Sequence, residues 1–266
     1  MALFGGKALG FASNCRILTT LMVCGLALSA CQNRSASLGA DPVTTASTSA
    51  ASTPSFKRTE ILGKQWEANP GDVKTALAYA ESLGALGQTE TQAGVFKTTA
   101  DRNPSNAEVQ NTMGKKLLAM GQGQMALELL LRSATLNPQS WQAKSAYGAA
   151  LDQSTRHSEA REQYQAALSL KPGELAVINN LAMSYALQGK LPEAEKTLRE
   201  AMSLPGSKAL PRIRQNLALI VGLQGRLDES QQIASQDLPP DQVEANRAYL
   251  QEMLSRPNTW AQLQDG

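Results

Sequence analysis

The sequence predicts an all-α solenoid of about five helical hairpins with capping helices, and three observations predict it. Asn69-Pro70, Asn103-Pro104, Asn137-Pro138 and Lys171-Pro172 follow one another at a fixed interval of 34 residues. Side chains of matching size recur in register between those prolines. The composition is 42% hydrophobic with only 5% aromatic residues, and Ala, Leu and Gln are frequent. Such a chain favours helices packed through small residues, because Ala and Leu lose little side-chain freedom in a helix.

The interval marks one hairpin per period. A proline cannot continue a helix, so it belongs in the turn between successive hairpins. In the first helix of each unit a large residue precedes Ala or Gly: Tyr79-Ala80, Met113-Gly114, Tyr147-Gly148 and Leu181-Ala182. The small residue allows close approach of the second helix. Leu83, Leu117, Leu151 and Tyr185 follow on the same face. Second helices carry Phe96, Leu130, Tyr164 and Leu198 at one position, with Ala126, Ala160 and Ala194 a turn earlier. Gly87, Gly121 and Gly189 mark the turns inside units, where the third unit has Thr155. Pro192 fits the first turn of its helix, where no N–H is required.

A fifth unit keeps Leu217-Ala218 and Gly225 but carries an insertion of about two residues around Pro205 to Pro211. The segment Thr59 to Ala68, with Leu62 and Trp66, reads as a lone second helix. Asp241 to Ser255 reads as a closing helix with Asp241 and Glu244 at its start and an apolar stripe of Ala245, Ala248, Tyr249 and Met253. Trp66, Trp141 and Trp260 are expected to pack. The interval is that of the tetratricopeptide repeat (TPR), which the units resemble.

The first 30 residues resemble a lipoprotein signal peptide. Lys7 and Arg16 give it positive charge, and Ile17 to Ala30 is an apolar run too short to span a bilayer, which takes about 20 residues. Leu28-Ser29-Ala30-Cys31 resembles the lipobox of bacterial lipoproteins. That resemblance implies cleavage before Cys31 and lipidation of its thiol. Of three cysteines, Cys15 and Cys24 would be removed with the leader. Cys31 would then have no partner for an intramolecular disulfide. Gln32, where an Asp would signal inner-membrane retention, implies an outer-membrane, periplasm-facing location. Asn33 to Ser55 is rich in Ser, Thr and Ala and too poor in large apolar residues to fold, so it reads as a tether reaching about 25–30 Å. The expected organisation is a signal peptide over 1–30, a lipidated cysteine and flexible linker over 31–55, a TPR solenoid domain over 56–255 and a tail over 256–266.

Net charge is +2 for the whole chain. Without Lys7 and Arg16 the balance is zero, which lacks the basic footprint of a nucleic-acid binder. Beyond the leader there is no GxGxxG, phosphate loop, HExxH, GxSxG or CxxC pattern. No enzyme, cofactor, metal or small-molecule substrate is expected. His157, the single histidine, reads as a solvated turn residue beside Arg156 and Ser158. Glu193, Glu195 and Glu200, interleaved with Lys196 and Arg199, read as a solvated face.

Function is therefore expected in a protein-binding groove lined by the first helices. The register places Glu81, Glu108, Asn111, Lys115, Leu118, Gln142, Ser145, Asp152, Asn179, Met183, Arg212 and Gln215 there. This mixture of amides, charges and apolar groups suits an extended or helical peptide. TPR domains that clamp a C-terminal carboxylate place Lys and Asn where this chain has Leu77 and Glu81, so carboxylate clamping is not expected.

A narrower resemblance lies in the C-terminal part: Ala234-Ser235-Gln236-Asp237-Leu238-Pro239-Pro240, Asn246-Arg247-Ala248-Tyr249-Leu250 and Pro257-Asn258-Thr259-Trp260. With the lipobox and repeats, these residues resemble the TPR lipoproteins of the tight-adherence (Flp) pilus assembly system, the TadD type. The resemblance implies a non-enzymatic scaffold that assists assembly of the pilus machine, with its outer-membrane secretin or other Tad components as partner. The alternative is a general envelope TPR lipoprotein that assists outer-membrane protein or cell-wall enzyme assembly.

Overall fold

A computed structural model describes residues 56–207 and 210–255. The leader, Cys31, the linker and the tail over 256–266, with Trp260, lie outside the described residues.

The fold is a TPR solenoid: the described residues form twelve helices and no strand. A single helix, α1 (Phe56–Ala68), comes first. Five hairpins follow: α2 (Val73–Ala85) with α3 (Thr89–Asp101), α4 (Ala107–Ala119) with α5 (Gly123–Leu136), and α6 (Trp141–Gln153) with α7 (His157–Leu170). Next are α8 (Leu175–Leu187) with α9 (Leu191–Ser203) and α10 (Pro211–Leu223) with α11 (Leu227–Ala234). The last helix, α12, spans Pro240–Ser255. Each helix packs on its neighbours in sequence, and among the first helices α4, α6, α8 and α10 each also touch the next one along.

The prolines sit in turns between units. Asp72, Asn106 and Ser140 close those turns by donating their backbone N–H to the carbonyls of Asn69, Asn103 and Asn137 at 3.0, 3.2 and 3.1 Å. The same three residues then cap the next helix. Asp72 accepts from the Thr75 N–H at 2.8 Å, Asn106 from Glu108 and Val109, and Ser140 from Ala143. One short polar residue thus ends a turn and satisfies orphan donors of a helix.

Inside units the chain reverses through a left-handed residue. Gly87, Gly121, Gly189 and Gly225 have φ of 73°, 75°, 75° and 84°. Thr155 occupies the same place at φ 60°, so the third unit keeps the turn although its side chain opposes it. The small residues of the first helices are needed for close approach. A Cβ on Gly148 would lie 2.8 Å from Tyr164 Cε1, and one on Gly114 would lie 2.7 Å from Leu130 Cγ.

The core is a chain of local clusters. Units one and two share the first, around Ala80, Phe96, Met113 and Leu130. Leu151, Tyr164 and Leu181 join units three and four. Leu198, Leu217 and Ile220 join units four and five. Trp66 and Trp141 pack against these clusters, and the Trp66 indole N–H donates to Thr99 Oγ1 at 3.1 Å. The fifth unit departs from the others through its long connection over 204–210 and its eight-residue second helix.

The last helix differs from its expected packing. Val243 and Leu250 are its buried residues, whereas Ala245, Ala248 and Tyr249 are exposed and Met253 is half-buried. Both sides of this helix carry apolar residues. The side that packs is the one turned towards Ala218 and Ala234.

Candidate functional site

The first helices share one face, and the structure sorts the expected groove residues by exposure. Glu81, Glu108, Lys115, Gln142 and Arg212 are exposed. Asn111, Leu118, Ser145, Met183 and Gln215 are half-buried. Asp152 and Asn179 are each only 5% exposed, so their expected place on an open surface is corrected. The helical register puts both on the inner side, but Asp152 is covered by side chains of α7 and α8 and Asn179 meets Asn216 of α10.

Asn179 Oδ1 accepts from Asn216 Nδ2 at 2.7 Å, which links the first helices of units four and five. Asn216 and the half-buried Leu219 belong to this face and were not predicted. With the two-residue insertion before Pro211 allowed for, Leu219 stands at the position of Met183 and was legible from the register, whereas Asn216 stands beside Gln215 and is marked out by its bond to Asn179. The Asn111 side-chain oxygen is buried without a donor.

Asp152 anchors a buried hydrogen-bond cluster. Its Oδ1 accepts from Ser184 Oγ at 2.7 Å and from His157 Nδ1 at 2.9 Å, and its Oδ2 accepts from the Tyr164 hydroxyl at 2.9 Å. A carboxylate only accepts, so His157 Nδ1 carries its hydrogen here. His157 is therefore no solvated turn residue: it opens α7 and its side chain is 15% exposed. Burial, then the charge and hydrogen bond of Asp152, pushes the Tyr164 hydroxyl well above the usual tyrosine range. The cluster joins α6, α7 and α8, and so units three and four.

Ser, His and Asp thus meet at one point, but not in a hydrolytic order. A nucleophilic serine needs the imidazole between itself and the carboxylate. Here Ser184 donates to Asp152 directly and is fully buried. A buried carboxylate needs such donors to offset its lost hydration, and three donors satisfy it.

A second polar cluster lies across α9, α10 and α11. Glu195 accepts from Arg199 Nε at 2.7 Å, from Gln224 Nε2 at 2.8 Å and from Arg226. Arg199 and Arg226 both reach Glu229. Burial raises the Glu195 carboxyl, but the bonds from Arg226, Arg199 and Gln224 outweigh it and hold the group at about 2. The expected solvated face is thus partly an ion-pair cluster that ties unit four to unit five. Among the described residues no group of His, Cys, Asp and Glu could hold a metal ion, and no helix is long and apolar enough to cross a membrane.

Solved structures share this architecture. A thermophilic TPR protein of Thermus thermophilus, TTC0263, superposes with a TM-score of 0.54 at 22% identity, over 67% of this chain and 98% of that one. The APC/C hetero-tetramer Cut9-Hcn1 gives a TM-score of 0.51 at 16% identity, over 77% of this chain and 41% of that one. These likenesses show the fold. No protein-family model matches the chain. A curated relative, the uncharacterized protein y4yS of Sinorhizobium fredii (strain NBRC 101917 / NGR234), is 29% identical over 108 residues, which is 41% of this chain and 59% of the relative. The match thus spans less than two thirds of that relative.

Proposed function

We propose that this chain is a non-enzymatic protein-binding scaffold, lipid-anchored through Cys31 to the periplasmic side of the outer membrane. It assists assembly of the tight-adherence pilus machine, with the outer-membrane secretin as its partner. The observation that carries the scaffold reading is the shared face of the first helices. It offers exposed charges of both signs, amides and the apolar Leu118 and Met183, while Asp152, the carboxylate most like part of a reaction centre, is buried and held by three donors. Such a surface can hold a peptide segment.

The pilus role rests on the C-terminal resemblance, whose described residues also have structural work. Ala234 and Leu250 are buried, and Asp237 pairs with Arg214. A lipid anchor would confine the scaffold where a pore inserts and so raise the effective concentration of its partner.

Deleting the gene should abolish pili and lower the amount of secretin multimer. Normal pili and normal multimers would sink the pilus reading. Recovery of barrel-assembly or peptidoglycan proteins on the purified chain, with no pilus component, would favour the general envelope role. Cys31→Ser should block lipidation and release the chain from the membrane. Unchanged membrane partition would contradict the anchor.

A further inference from the structure

The described residues of the solenoid begin and end on half a unit. α1 packs on α2 as each second helix packs on the first helix that follows it, so among the described residues α1 is a second helix without its own first helix. α12 follows the second helix of unit five and touches both α11 and α10, as a first helix does. Among the described residues it is a first helix without its second. The missing half at one end is the half present at the other.

The outward faces match in chemistry. On α1, Thr59 and Gly63 are buried and Leu62 and Trp66 half-buried, while Lys57, Ile61 and Lys64 stand on the opposite side, exposed, with Ile61 at 49%. On α12, Val243 and Leu250 are buried. Asp241, Ala245 and Ala248 stand opposite with Tyr249 at their edge, all exposed, Tyr249 at 44%. α1 carries three basic residues against two acidic; α12 carries three acidic against one basic. That one, Arg247, is already engaged by Asp228 and Gln231. Lys64 meets Glu60 across a helical turn, an exposed pair of little strength that leaves it open to a second carboxylate. Ala245 and Ala248 leave room for a facing helix to come close, as Gly148 does inside unit three.

We propose that α12 of one copy docks against α1 of a second copy and completes a helical hairpin between chains, so that the protein associates head to tail. Ile61 meets the alanine surface and Tyr249, and Lys57 and Lys64 meet the acidic flank. The contact is heterologous, so each added copy leaves one free head and one free tail, and the assembly stays open-ended. A single helix-on-helix contact is small, which makes the association weak in dilute solution. Its charged flanks make it weaken as salt rises.

The test is sedimentation of the full chain in detergent at rising concentration, with two variants. Ile61→Glu blocks the head and Ala248→Arg blocks the tail. Both positions are exposed, and circular dichroism verifies that the helices persist. The wild type should grow in mass with concentration, and each variant alone should remain a monomer. An equimolar mixture of the two should form dimers and nothing larger, because one intact tail still meets one intact head. A wild type that stays monomeric, a variant that associates as the wild type does, or a mixture that stays monomeric would each overturn the proposal.

Discussion

Arg214 on α10 grips both carboxylate oxygens of Asp237, which lies in the connection between α11 and α12. Nε donates at 2.6 Å and Nη2 makes the second bond. The side chains are only 13% and 8% exposed. The pair fixes the chain where it leaves the short α11 and turns into the last helix. The hydrogen bonds that Arg214 donates to Asp237 hold its guanidinium above the usual range.

Removing one partner leaves the other charge part-buried and alone, which costs about 1–3 kcal/mol. Arg214→Ala should therefore loosen α12 strongly, read as faster amide exchange over Pro240–Ser255 than over α4 and α5. Arg214 and Asp237 replaced together should destabilise less than the two single changes summed, since neither leaves an orphan. Additive costs would show that the pair is not coupled.

Thr155 holds a left-handed conformation at φ 60° that four other units give to glycine. A β-branched residue is strained there, and the left-handed form costs an L-residue about 1–2 kcal/mol. Thr155→Gly should raise stability by about 0.5–1 kcal/mol once the extra freedom of glycine in the unfolded chain is subtracted. Denaturant melting checks this, and a lowered midpoint at unchanged slope would contradict it.

Two helical glycines should respond to alanine in opposite directions. Gly94 has nothing within 4 Å of an added Cβ, so Gly94→Ala should stabilise by up to about 1 kcal/mol through helix propensity. At Gly148 the added carbon would lie 2.8 Å from Tyr164 Cε1 and 3.1 Å from the Ala160 carbonyl oxygen. Tyr164 is pinned by Asp152 and cannot yield. Gly148→Ala should destabilise by about 1–3 kcal/mol through overpacking. Thermal melts of the two variants, side by side, decide the matter.

The Glu195 carboxyl sits at about 2 in the fold, below the ordinary glutamate value of about 4.3 in an unfolded chain. The unfolded state therefore binds the proton first as pH falls. The stabilisation is complete above about pH 4.3 and is lost progressively down to about pH 2; the exposed arginine partners limit it to about 1 kcal/mol. Glu195→Gln should flatten the acid limb of the melting temperature between those limits and leave its slope near neutrality alone. An unchanged acid limb would mean that the cluster contributes nothing.

The repeat was legible because its determinants are local. Proline stops a helix, glycine permits the left-handed turn, and Ala or Gly lets two helices touch, each at a position that the period fixes. The site was less legible because burial of its residues depends on the neighbouring unit. Asp152 and Asn179 have the register of a groove residue, but Asp152 is covered by His157 and Tyr164 of its own unit and Ser184 of unit four, and Asn179 meets Asn216 of unit five. His157 looks like a turn residue until Asp152 is placed beneath it. Ala245, Ala248 and Tyr249 form a sound apolar stripe, but a helix with apolar residues on two sides does not declare which side packs.

The division of the core into local clusters has a mechanical consequence. Each unit touches little beyond its immediate neighbours, so its junctions act as elastic elements in series, and their compliances add. A load on the array is then taken up as many small rotations between units. The bonds of Asp152 across units three and four and of Glu195 across units four and five stiffen two of those junctions, so yielding should begin elsewhere along the stack.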